Sequence, residues 1–75
     1  MDELMRILEE ARPDVDFATE TELIDGEILD SFDIISIVTE INSVFDIKIN
    51  VNDLLPENFN SAAAIYELIE KLQNE

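Results

Sequence analysis

Leu29-Asp30-Ser31-Phe32-Asp33-Ile34-Ile35-Ser36-Ile37-Val38-Thr39-Glu40-Ile41-Asn42-Ser43-Val44-Phe45 is the stretch whose pattern decides the fold. Asp30 suits an N-cap, because its carboxylate can accept a hydrogen bond from a free N–H of the first helical turn. Asp33, three residues on, completes a capping-box pattern with Asp in place of Glu. At about 100° per residue, Ile34, Ile37, Val38, Ile41, Val44 and Phe45 share one arc. The spacing predicts a helix over Ser31–Phe45 with that arc on the core and Asp33, Ser36, Glu40 and Ser43 on a solvated stripe. Phe32 points nearly opposite the arc's centre, and Ile35 lies to one side, close to the direction of Ser31. Two readings of this pair are open. A loop or neighbouring helix covers them, or they form an exposed apolar patch beside Ser31 where a partner docks.

Upstream, Leu4, Ile7, Leu8 and Ala11 fall at i, i+3, i+4 and i+7, which predicts a first amphipathic helix. Asp2 and Glu3 suit its N-terminus and Arg12 its C-terminus, and Pro13 stops it. Residues 13–30 show no helical period. They read as a long loop over the core, anchored by Val15, Phe17, Leu23, Ile24, Ile28 and Leu29, with a turn at Asp25-Gly26. A loop of this length in so small a chain is often functional.

Downstream, residues 46–52 alternate Ile47, Ile49 and Val51 with Lys48, Asn50 and Asn52, the period of a strand. No partner strand is in sight, so the segment reads as an extended connection. Residues 53–59 suit one short helical turn with Leu54, Leu55 and Phe59 inward. A last helix follows Asn60 or Ser61 as cap, with Ala62, Ile65, Leu68, Ile69 and Leu72 on its apolar face and Lys71 near its end. The expected fold is all-α: a small three-to-four-helix bundle with a long loop between helices one and two, residues 1–75 forming one domain.

Composition narrows the function. The 75 residues are 47% apolar, enough for one core, with a single Gly and two Pro. There is no Cys and no His, which removes thiolate chemistry, disulfides, the usual general base and most zinc sites. Nineteen acids against four bases give a net charge of −15. Phosphate backbones and anionic membranes repel such a chain, so partners are expected to be proteins with basic patches, with no nucleic acid and no membrane insertion. No run is long and apolar enough for a membrane span and residues 1–12 do not form a signal peptide, so a cytoplasmic location is expected. Asp14, Asp16, Glu20, Glu22, Asp25 and Glu27 lack EF-hand spacing and read as a solvated acidic loop, with no metal site expected.

Ser31 is the residue with chemical interest. It lies in the first turn of a helix after a long loop, where a serine is usually structural. It has no Gly-x-Ser-x-Gly elbow and no histidine to activate it, so a hydrolase role fails and no catalytic residue is assigned. It can still be a substrate, with another enzyme supplying base and metal. A helix N-terminus accepts a phosphate ester well, through free N–H groups and the helix dipole.

The run Asp30-Ser31-Phe32 resembles the Asp-Ser-Leu signature of acyl carrier proteins and peptidyl carrier domains. The long preceding loop, the apolar helix, Phe45-Asp46-Ile47 at its end, the short third helix and the amphipathic last helix resemble the family too, over essentially the whole acidic chain. The resemblance implies that Ser31, preceded by Asp30, bears 4'-phosphopantetheine, attached from coenzyme A by a phosphopantetheinyl transferase. The cofactor's thiol would then hold an acyl group as a thioester, which fits a chain without cysteine. Gly26-Glu27-Ile28-Leu29-Asp30-Ser31-Phe32 and Pro56-Glu57-Asn58-Phe59 are more similar to the D-alanyl carrier proteins of lipoteichoic acid modification than to fatty-acid carriers. Fatty-acid carriers place several acids along helix two. Here Ser36, Asn42 and Ser43 stand in that stretch, leaving Asp33 and Glu40, which favours a dedicated ligase or synthase as partner. The partners the resemblance implies are an adenylating ligase or acyl-transfer enzymes with basic patches. Phe32, Ile35 and Thr39 would border Ser31 on the partner-facing side, with Asp33 and Glu40 as charge contacts. The alternatives are a carrier of fatty-acid or polyketide synthesis and, from another class, a small acidic protein-interaction module.

Overall fold

The computed structural model describes residues 2–74. Among these residues four α-helices form, α1 (Asp2–Ala11), α2 (Ser31–Phe45), α3 (Pro56–Phe59) and α4 (Ala62–Gln73), with a 3₁₀ turn over Val51–Asp53. The expected all-helical bundle is therefore present, and among the described residues there is no strand. α2 begins and ends where its pattern placed it. The helices close on one core in which Leu4 and Leu8 of α1, Ile37 and Ile41 of α2 and Ile65 and Ile69 of α4 are almost wholly buried. At about 25 cal/mol per Å² of apolar area, such side chains supply most of the drive that holds short helices together.

The loop between α1 and α2 lies over this core as expected. Phe17, Leu23 and Leu29 are buried, and Val15, Ile24 and Ile28 pack against the cluster. Its second half is more ordered than a lack of period suggests. The Gly26 N–H donates to Glu22 O, the Glu27 N–H to Ile24 O and the Ile28 N–H to Leu23 O, with Glu27 in the left-handed region at φ 58°. That is one helical turn closed like a Schellman cap, too short to show in hydrophobic spacing. Gly26 is needed for room: a Cβ there would stand 2.7 Å from Glu22 O.

Four expectations about burial require correction. Val44, at the edge of the α2 arc, is exposed, while Ile41 at the arc's centre is sealed. Val51 does not continue the inward alternation of Ile47 and Ile49. It opens the 3₁₀ turn, which breaks the two-residue period and leaves it 83% exposed. Leu54 and Leu55 precede α3 instead of lying within it, because Pro56 takes the first helical position, and both are exposed while Phe59 is buried. Asp33 is not on a freely solvated stripe: its side chain is 17% exposed and is held by partners described below.

Candidate functional site

The site is built on the first turn of α2. Asp30 is extended, at φ −97° and ψ 179°, and its Oδ1 accepts a hydrogen bond from the Asp33 N–H at 2.8 Å. Asp33 Oδ2 accepts in return from the Asp30 N–H at 3.3 Å. The capping box expected from the sequence is therefore formed. It leaves Ser31 as the first helical residue, exposed, and its hydroxyl makes no hydrogen bond among the described residues. The cap is supplied by Asp30, so Ser31 Oγ is free for chemistry. The amides of the opening turn and the positive end of the helix dipole lie beside it, and both favour an anionic ester at that oxygen. A phosphodiester fits this exposed hydroxyl and its setting, and no buried polar side-chain atom among the described residues is left unpaired.

Around α2 the predicted partner residues separate into two faces. Phe32 is 76% exposed and Ile35 62% exposed, so neither the loop nor a neighbouring helix covers this pair. By helical angle Thr39 shares their side. Its hydroxyl donates back to Ile35 O at 2.8 Å. Glu40 lies elsewhere, with Glu10, Ala11, Ser36 and Ile37 along the groove between α1 and α2. Asp33 is also apart from the patch, and its carboxylate is already engaged within the chain.

That engagement comes from Arg12, which the sequence suggested only as a favourable charge at the end of α1. Its Nη1 donates to Ile28 O at 3.0 Å and to Asp33 Oδ2 at 2.7 Å. Its Nε and Nη2 fork onto Asp14 at 3.0 and 2.8 Å. The hydrogen bond from Arg12 holds the Asp14 carboxyl below the usual carboxylate range. This interaction is therefore present above the unfolded carboxylate value and lost as pH falls through the lower, folded one.

Asn60 is the other residue whose position the sequence did not reveal. It was one of two candidate caps for α4, but Ser61 is the cap, its Oγ accepting from the Ala64 N–H at 3.1 Å. Asn60 instead ties down the loop. Its Oδ1 accepts from the Ile24 and Asp25 N–H groups at 3.0 Å each, and its Nδ2 donates to Asp25 at 2.9 Å. Beside this tie lies a small apolar cleft of about 120 Å³ between Ile24, Ile34, Leu54, Leu55, Pro56 and Phe59.

The chain is 34% identical to a D-alanyl carrier protein of Streptococcus equi subsp. zooepidemicus over 61 residues, covering 81% of this chain and 77% of the relative. It belongs to the acyl carrier family, D-alanyl carrier type. A D-alanyl carrier protein of Streptococcus sanguinis is 30% identical over 73 residues, covering 96% of this chain and 92% of its own length. One of Streptococcus uberis is 30% identical over 61 residues. No family model matches the chain, and no solved structure matches it. As a member of this family the chain has a carrier role, and the loop, capped helix and short third helix quoted for the resemblance are all present. Among the described residues no helix is long and apolar enough to cross a membrane.

Proposed function

We propose that the chain carries D-alanine as a thioester on 4'-phosphopantetheine, joined to Ser31 Oγ through a phosphodiester. The observation that carries this reading is the exposed, unbonded Ser31 hydroxyl at the start of a helix whose cap is provided by its neighbour. The prosthetic group, when bound, supplies the thiol that this cysteine-free chain lacks. The chain's own part is to present the serine and orient the attachment point. It also offers Phe32, Ile35 and Thr39 to the enzymes that act on it. It is a substrate of those enzymes and not a catalyst, since Ser31 has no base of its own.

One further observation favours a small aminoacyl cargo. The relatives are named for D-alanine. The partners are then a phosphopantetheinyl transferase and an adenylating ligase with a basic rim facing the acidic surface. Coenzyme A and ATP place that work in the cytoplasm.

The test is intact-mass spectrometry. Incubation with coenzyme A and a broad-range transferase should add one phosphopantetheine to the wild type and none to Ser31→Ala. The modified protein is then offered in parallel to a D-alanine-activating ligase with ATP and to a malonyl transfer system. Aminoacylation with poor malonylation is expected. Efficient malonylation with no aminoacylation would overturn the D-alanyl assignment.

A further inference from the structure

The geometry points to Arg12 as a positioning residue that holds the helix start bearing Ser31 in place for phosphopantetheine transfer. Its functional meaning rests on the carrier reading above. One guanidinium nitrogen, Nη1, has two hydrogens and uses one on each side of the modified serine. It meets Ile28 O, three residues before Ser31, and Asp33 Oδ2, two residues after it. The remaining edge forks onto Asp14, anchoring the guanidinium where α1 runs into the loop. Arg12 therefore fastens the end of α1, the last loop residues and the first turn of α2 at one point.

Three physical features make the contact more than a surface ion pair. The planar fork of arginine makes four hydrogen bonds at once to both carboxylates and the carbonyl, one more than the three N–H groups of a lysine can supply. Asp33 is largely shielded from water, so without Arg12 a carboxylate would remain partly buried with its charge uncompensated. The same Asp33 oxygen also accepts the Asp30 N–H, at the longer distance of 3.3 Å. The guanidinium thereby fixes the weaker half of the capping box, and with it the backbone on both sides of Ser31. An unfastened loop would have to be ordered each time a transferase bound it, and small misplacements of a reacting group are costly in rate. Among the described residues Arg12 makes both of the chain's ion pairs, so no other cation there substitutes for it.

The experiment uses the full chain in its unmodified form. Initial rates of transfer to Ser31 are followed by intact mass with coenzyme A and a broad-range transferase, at a temperature where circular dichroism shows every variant folded. Arg12→Met is expected to lower kcat/KM by about tenfold, the scale of a displaced reacting group. Arg6→Met removes the same charge from an exposed position on α1 and should stay within about twofold of the wild type. Arg12→Lys should recover only part of the loss. Amide hydrogen exchange is read alongside. In Arg12→Met it should quicken at Asp30 and Asp33 while the amides of α4 keep their protection. Wild-type rates and wild-type exchange in Arg12→Met would overturn the proposal. An equal loss in Arg6→Met would also overturn it, by reducing the effect to net charge, and so would full rescue by lysine. A wild type that is never modified sinks the carrier reading, and exchange at Asp30 and Asp33 then still decides whether Arg12 fastens the helix start.

Discussion

Ser31 and Phe32 are neighbours with opposite expectations for mutation. Replacing Ser31 by Ala removes an exposed hydroxyl that bonds nothing among the described residues, and Asp30 keeps the cap. Urea melts of Ser31→Ala should therefore lie within about 0.5 kcal/mol of the wild type, so a loss of modification in that variant reports chemistry and not unfolding. Phe32 is an aromatic ring left in water, a costly arrangement unless something docks on it. Phe32→Ala should change stability by no more than about 0.5 kcal/mol, whereas Phe59→Ala, at 3% exposure, should lose about 3–5 kcal/mol. Ligase or transferase KM should rise for Phe32→Ala. A core-sized loss of stability in that variant would show that the ring packs inward and that no docking patch exists.

At the scale of the element, the proposed function rests on the start of α2. Asp30 satisfies an amide that would otherwise be orphaned, and its extended backbone turns the loop into the helix. Asp30→Ala should cost about 1 kcal/mol in denaturant melts, the usual loss for a cap. It should also slow transfer to Ser31, because the first turn that presents the serine frays. Asp30→Asn keeps an acceptor and should restore most of the stability. If Asp30→Ala melts like the wild type, the capping box is not formed in solution. The other end of α2 is held more simply. Asp46 takes the left-handed conformation at φ 54°, and the Asn42 side chain accepts from the Ile49 N–H at 3.0 Å, turning the chain towards α3.

At the scale of the whole molecule, the excess of negative charge works against the fold. Nineteen acids face four bases, and the ion pairs among the described residues both belong to Arg12. Self-repulsion therefore outweighs pairing, and screening it should stabilise the compact state. Added sodium chloride, or millimolar magnesium, is expected to raise Tm, at about 4–8 °C for each kcal/mol gained in a domain of this size. Association with a basic partner should slow over the same range, since steering is screened beyond about 8 Å at physiological ionic strength. A Tm indifferent to both salt and magnesium would mean that the acids are too far apart to repel one another appreciably.

The sequence by itself determined the features that depend on neighbours within one helical turn. The bounds of α2, the Asp30–Asp33 capping box and the burial of Ile37 and Ile41 all follow from spacings of three and four residues. Those spacings are fixed by helix geometry whatever the rest of the chain does. Exposure of Phe32 was an open choice in the pattern, because an angle on a helix says which way a side chain points and not what lies there. Only the tertiary structure decided that, along with the outward turn of Val51, Leu54 and Leu55. It also decided the roles of Arg12, which acts 16 and 21 residues away, and of Asn60, which acts 35 and 36 residues away. Such contacts have no period. They exist because burying one shared core sets the path of the loop, and that path brings a guanidinium and an amide against backbone groups that local sequence does not connect to them.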